Sequence, residues 1–185
     1  SWAEQIGKGN AAHFLLGRGP DTAEPNNYPN GGLVQMIPIT RNGNHAGGGG
    51  SFVVSGRPVH PNTVSVGIEV DCAGRLGKPR DGKFYYPGSL RTIPIEDVHV
   101  DAKGVGWHKV TEYQYGILDT LLIDLQASYR VPPGAISVLP KGTYKNNGVP
   151  WGEMTGQIVG HVSLNPTDKT DPSWPVMDWL RTRTS

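Results

Sequence analysis

The densest gathering of chemistry-bearing side chains lies in the segment Gly160-His161-Val162-Ser163-Leu164-Asn165-Pro166-Thr167-Asp168-Lys169-Thr170-Asp171-Pro172. It places a histidine, a lysine and an aspartate in one short loop between a strand end and a helix. Histidine is a common zinc ligand and aspartate a possible one. A lysine beside a metal carboxylate has a use if negative charge develops nearby during a reaction. The residues alone leave a second reading open, a solvated loop whose Asp171 helps to start the last helix. A further carboxylate, Glu69, sits in Val64-Ser65-Val66-Gly67-Ile68-Glu69-Val70. Strand alternation there puts the valines and Ile68 on one face and Ser65, Gly67 and Glu69 on the other. His45 lies in a Gly/Asn loop over 41–51 and is a candidate to line a substrate groove, with a purely structural place equally open. That loop is not a phosphate cradle, because no Gly-Lys-Ser/Thr and no helix follow it.

The elements that must hold these groups are read from periodicity and punctuation. Ala12-His13-Phe14-Leu15-Leu16 and Leu33-Val34-Gln35-Met36-Ile37-Pro38 have strand length, and the Pro/Asn/Gly loop over 20–32 can join them as a hairpin. His13, in an apolar strand, reads as a hydrogen-bonded core residue. Thr111-Glu112-Tyr113-Gln114 is a capping box. The helix it opens carries Leu118, Leu121, Leu122, Leu125 and Tyr129 at helical spacing and stops before Pro132-Pro133. Residues 157–161 read as a short strand. Ser173 to Arg183 reads as a final helix, capped by Ser173, with Trp174, Met177 and Leu180 on one face. Residues 2–8 read as the end of a helix. The stretch 72–108 reads as an insertion or a long excursion over the surface. Its Tyr85, Tyr86 and Trp107 are open to two uses, stacking on sugar rings or packing. His60, His99 and His108 read as surface or structural residues, and Cys72 as a small buried one. The class is α/β or α+β, a mixed central sheet flanked by helices.

Bulk properties narrow the function. The chain has 185 residues, 26 Gly and 16 Pro, which matches one domain with long turns. Its net charge of +1 gives no basic stripe for nucleic acid. One cysteine excludes an intrachain disulfide or a Cys-based metal cluster. No apolar run approaches the roughly 20 residues of a membrane span, and Ser1-Trp2-Ala3-Glu4 does not read as a secretory leader.

The 160–172 segment resembles the C-terminal motif of the type 2 N-acetylmuramoyl-L-alanine amidases, a family that includes phage amidase lysins and peptidoglycan recognition proteins. That motif is Gly-His, a loop, Lys-x-Asp-Pro and an aromatic-rich helix. Further segments match in order. These are Ala12 to Arg18, Gln35 with Pro38, His45-Ala46-Gly47 (with Asn44 where the family has Trp), Asn62 to Glu69, and Thr111 with Gln114. Only 72–108 stands outside the likeness.

The resemblance implies an amidase or peptidoglycan-recognition-like fold over 1–185, with 72–108 inserted in it. It implies a zinc-dependent hydrolase that cuts the amide bond between N-acetylmuramic acid and L-alanine. His161 and Asp171 would hold Zn2+, Glu69 would be the general base, and Lys169 would stabilise the oxyanion. The family's first zinc-binding histidine has no counterpart in these residues. The third ligand is therefore expected upstream of Ser1, on a strand missing from this sequence. Recruitment of His13 or His45, or a defective metal site, are the other outcomes. The expected partner is peptidoglycan or a muropeptide, met by a monomer acting at the cell wall. The alternative is a peptidoglycan-binding module of the same fold without catalysis. A zinc peptidase of another type is disfavoured by the lack of His-Glu-x-x-His. The 72–108 segment is expected to wall one side of the groove.

Overall fold

The computed structural model describes residues 11–20, 31–46, 52–54, 57–130, 137–138, 157–161, 170–172 and 174–184. Expectations for residues 2–8, for the 21–30 loop and for the Ser173 cap fall outside them.

The first sheet is built on β1 (Phe14–Leu16), whose three residues are all buried. It pairs antiparallel with β2 (Leu33–Gln35), placing Leu15 opposite Val34. On its other side it pairs in parallel with β5 (Ile68–Val70), placing Leu15 opposite Glu69. The sheet is thus mixed, and its central strand has neighbours on both edges. The hairpin of β1 and β2 forms as the apolar runs indicate. β5 is shorter than its valine pattern: Pro61–Thr63 is a 3-10 turn, with the Nδ1 of His60 accepting from the Asn62 N–H at its start. Proline in the first turn favours this local helix. Val64 therefore ends a turn, 42% exposed, instead of starting a strand. Two further hairpin strands, β3 (Phe52–Val54) and β4 (Arg57–Val59), pair antiparallel.

The stretch expected as a surface excursion folds on its own core. β6 (Arg75–Gly77), β9 (Val98–Val100) and β10 (Gly106–His108) form an antiparallel sheet with β10 in the middle. β7 (Phe84–Tyr85) and β8 (Thr92–Ile93) form a ribbon beside it. Phe84, Ile93 and Val98 make a buried cluster with Leu76 and Tyr86 against it. Strands of two or three residues give too short an alternation to be read as strands, so the apolar residues looked scattered. Trp107 is buried and donates from Nε1 to Asp101 Oδ2 at 3.3 Å, so it packs instead of offering a sugar platform. His108 is buried as well and accepts from the Ala73 N–H at 3.0 Å.

Helix α1 (Glu112–Ser128) starts at the expected capping box: Thr111 Oγ1 accepts from Gln114 N, and Gln114 Oε1 accepts from Thr111 N. Leu118 and Leu121 are buried, whereas Tyr129 caps the C-terminus and is 49% exposed. Gln114 has no exposed surface, and its Nε2 donates to the Asp71 carbonyl at 3.0 Å. One amide side chain thereby closes the cap and ties α1 to the end of β5.

Helix α2 (Trp174–Thr184) buries Val176, Met177 and Leu180 with Val110. Val70 of β5, Cys72, Leu122 of α1 and Ile158 pack on the same cluster. Tyr115 stacks on Trp179 with ring centroids 4.8 Å apart. Ile158 belongs to β12 (Gln157–Ile158), parallel to β11 (Ser137–Val138). Both helices and the ends of β5 and β12 therefore share one core.

Because Gln114 satisfies groups on two elements, replacing it by leucine removes a partner from the part-buried Thr111 N–H and from the Asp71 carbonyl. Gln114→Leu is expected to lower stability by about 2–4 kcal/mol. In urea denaturation this appears as a lower midpoint with an unchanged slope. A midpoint within error of the wild type contradicts the assignment.

Candidate active site

His13 fixes the sheet from within. It is 1% exposed. Its Nδ1 accepts from the Gly67 N–H at 3.0 Å, and its Nε2 lies 2.8 Å from the Arg41 carbonyl. An amide N–H only donates and a carbonyl only accepts, so these partners require the Nε2–H tautomer. The residue is a satisfied core histidine, as its apolar strand indicates, and it holds the entry to β5 and the 41–46 loop in register.

His45 packs on the same entry. A Cβ at Gly67 would come within 2.3 Å of the His45 ring, and one at Gly43 within 2.6 Å of its Nδ1. Both positions require glycine for the imidazole to fit. The direction matters too: the ring lies where a Gly67 side chain would point. Glu69, two residues along the strand, projects to the same face. His13 is two residues before Leu15, the register partner of Glu69, and its ring meets His45 edge-on at 5.4 Å. His45 and Glu69 thus share a face of the first sheet.

The hydrogen bonds around His45 also fix its tautomer. Ser65 Oγ donates to the Pro61 carbonyl at 2.7 Å, so it accepts from His45 Nε2 at 2.9 Å. His45 Nδ1 is left buried without a partner among the described residues. Asn62 Oδ1 accepts from the N–H groups of both His45 and Ala46, at 3.1 and 2.8 Å. Asn62 and Ser65 stood out in the sequence only as part of a family pattern. Their role is to clamp the histidine loop onto the 3-10 turn.

The His45 pKa is pushed from 6.5 down to about 4, first by burial and then by repulsion from His13, His161 and His60. The influence of His161 puts that residue in the neighbourhood of the β5 entry. His161 Nδ1 and Asp171 Oδ2 stand 3.1 Å apart. Their approach depends on Gly160, where a Cβ would come within 2.9 Å of Pro172 and 3.0 Å of Met177 Sδ. The residue before His161 is thus bare so that the residue after Asp171 can pack on it.

Two donors of one tetrahedral zinc, each at about 2.0–2.2 Å, are separated by about 3.4 Å. The His161–Asp171 pair fits that requirement in donor type and spacing. Among the described residues, no group of three His, Cys, Asp or Glu side chains gathers closely enough to hold a metal. Neither His13 nor His45 joins the pair, and Lys169 lies outside the described residues. Cys72 takes no part: its thiol donates to the His108 carbonyl at 3.1 Å, and burial pushes its pKa up. His99 is exposed on β9.

The mixed sheet, with helices packed on the core beside it, defines an α+β domain. Residues 2–174 match the family described as N-acetylmuramoyl-L-alanine amidase. The chain belongs to that family. No curated protein sequence matches it. Among solved structures it is similar to the complex of the N-acetylmuramyl-L-alanine amidase AmiD from E. coli with the substrate anhydro-N-acetylmuramic acid-L-Ala-D-gamma-Glu-L-Lys. The identity is 16% and the TM-score 0.50, over 97% of this chain and 52% of that one. The likeness is one of fold, and the chain spans about half the length of that relative.

The depressed pKa of His45 makes stability depend on pH. The folded protein keeps His45 neutral where the unfolded chain, with its pKa near 6.5, takes a proton. The contribution is complete above pH 6.5 and is lost as pH falls towards 4. Allowing for partial exposure it amounts to about 1–2 kcal/mol. Urea midpoints measured with chelator between pH 7 and 4 should fall less in His45→Asn than in the wild type. Parallel curves would show that His45 is not the group responsible.

Proposed function

We propose that the protein is a zinc-dependent N-acetylmuramoyl-L-alanine amidase, cutting the amide bond between N-acetylmuramic acid and L-alanine in peptidoglycan. The observation that carries the reading is the 3.1 Å approach of His161 and Asp171 near the sheet face that presents Glu69, in a chain of this family. The substrate class follows the muropeptide bound by the AmiD relative.

His161 and Asp171 would hold the zinc, with a third protein donor from outside the described residues. Zinc in such a site lowers the pKa of water to about 7 and polarises a carbonyl. Glu69 takes a proton from the attacking water at its carboxylate and delivers it to the leaving amide nitrogen. Lys169 offers its ammonium to the oxyanion that forms on the carbonyl. His45 lines the substrate groove next to Glu69, held by Asn62 and Ser65. The parallel pairing of β5 with the buried β1 keeps Glu69 from swinging away, because its strand cannot shift without breaking the Leu15 register.

A second reading, a peptidoglycan-binding domain without catalysis, is favoured by one observation: only two donors meet among the described residues. Metal content and turnover separate the two. The wild type is expected to hold close to one zinc per chain by elemental analysis and to release peptide from a muropeptide. Glu69→Gln should retain zinc and lose about 10²–10⁴-fold in kcat. His161→Ala and Asp171→Ala should lose metal and activity together. A wild type that binds peptidoglycan without zinc or cleavage establishes the binding module instead.

A further inference from the structure

Residues 75–91 carry five cations, Arg75, Lys78, Arg80, Lys83 and Arg91, against the single carboxylate Asp81, in a chain whose net charge is +1. All five are exposed. Arg75, Lys78, Arg80 and Lys83 form no ion pair among the described residues.

The backbone sets two of them against each other. Asp81 and Gly82 both adopt positive φ, 49° and 70°. Arg80 and Lys83 exchange both backbone hydrogen bonds, at 2.9 and 2.8 Å, around that two-residue turn. Their side chains are direct cross-strand neighbours, an arrangement that is destabilising for like charges. The Arg80 guanidinium is held over the Tyr85 ring at 4.3 Å, which orders the cation before any partner arrives. Beside Lys83 opens a recess of about 280 Å³, walled by Phe84, Thr92, Ile93, Pro94 and Ile95. Phe84 and Ile93 are buried, while Ile95 is 64% exposed.

A short ribbon benefits from charged edges that discourage pairing with other chains. Charge of either sign serves that end, so protection does not account for five cations against one carboxylate, nor for a recess beside Lys83. An acidic ligand with small apolar groups accounts for both.

We propose that this recess and the cations around it form a second binding surface for peptidoglycan, taking the carboxylates of an uncut stem peptide. The inference rests on the substrate reading above. A stem peptide with a γ-linked glutamate keeps its α-carboxylate free for Lys83 and Arg80, and alanine adds only a methyl group for the Phe84–Ile93 recess. Cell wall repeats such peptides along one polymer, so a second contact raises the local concentration of cleavable bonds.

The test is co-sedimentation of the full chain, as Glu69→Gln to prevent cutting, with sacculi stripped of phosphate polymers. Charge reversal with Arg80→Glu and Lys83→Glu is expected to weaken binding about tenfold at low salt. Amidating the carboxylates of the sacculi should weaken binding of the parent similarly. In the Glu69 form, hydrolysis of a soluble muropeptide bearing one stem should be unchanged by the same reversal. Both positions are exposed, and Arg80→Ser with Lys83→Ser provides a milder pair if the reversal lowers the melting temperature. Equal sedimentation of parent and variants overturns the inference, as does undiminished binding to amidated sacculi. Binding that appears only when phosphate polymers are left in place also overturns it and identifies a different polyanion. Absence of muropeptide cleavage by the wild type, with charge-dependent binding of the Glu69→Gln form intact, overturns the amidase reading and leaves this surface standing.

Discussion

The imidazole of His13 is the constraint on which the arrangement turns. It spans from the Gly67 N–H to the Arg41 carbonyl inside the sheet. One ring thereby joins β1, the entry to β5 and the loop that carries His45. All three segments have backbone groups that must be paired once buried. Without the ring, the Gly67 N–H would retain only what neighbouring strands can offer. Gly67 already receives on its other side, since its carbonyl accepts from the N–H groups of His13 and Phe14. The histidine and the glycine are thus bonded reciprocally, by side chain one way and by main chain the other. Glu69 inherits its position from that lock.

The second recurring device is an omitted side chain. At Gly67 the missing Cβ admits His45, and at Gly160 it admits Pro172 and Met177. In each case the bare residue lies beside a chemical group, two positions before Glu69 and one before His161. The close approach transfers the rigidity of the core to the site. Met177 is 1% exposed and Val176 4%, so Gly160, next to His161, is packed on atoms with little room to move. This is how His161 and Asp171 can present two donors at 3.1 Å although both are polar and partly solvated.

What was legible in the sequence follows from the same physics. The capping box at Thr111 and Gln114 could be read because it is a local pattern with a fixed spacing. The strand at Phe14 could be read because continuous apolar residues bounded by glycine leave few alternatives. His161, Asp171 and Glu69 were legible as candidates from residue type and order. The approach of His161 to Asp171 and the fit of His45 against Gly67 were not, because they depend on Gly160, Pro172 and Gly67, whose meaning is a contact between distant segments. The β6–β10 region was illegible for another reason. Its strands are so short that burial is decided by turns such as Asp81-Gly82 and by the Phe84–Ile93 pair, neither of which produces a period. Asn62 and Ser65 carried a signal, their place in a family pattern, but only the fold shows that they clamp the His45 loop.

The two halves of the domain treat charge in opposite ways, and this shapes what each can do. Around the β5 entry, burial and repulsion from neighbouring histidines push the His45 pKa down, and both ring nitrogens of His13 are already hydrogen-bonded. That environment favours side chains held neutral by burial and fixed by hydrogen bonds. The β6–β8 region keeps its cations exposed and, at Arg75, Lys78, Arg80 and Lys83, unpaired among the described residues. Exposed charges act over about 10 Å at moderate salt, which suits capture of an extended anionic polymer more than chemistry on one bond. The chain joins them with no linker: β6 begins at Arg75, only six residues after Glu69, and the Ala73 N–H and Cys72 thiol between them are both bonded to His108. A polymer held on the basic ribbon is therefore tethered to a rigid extension of the strand that carries the carboxylate.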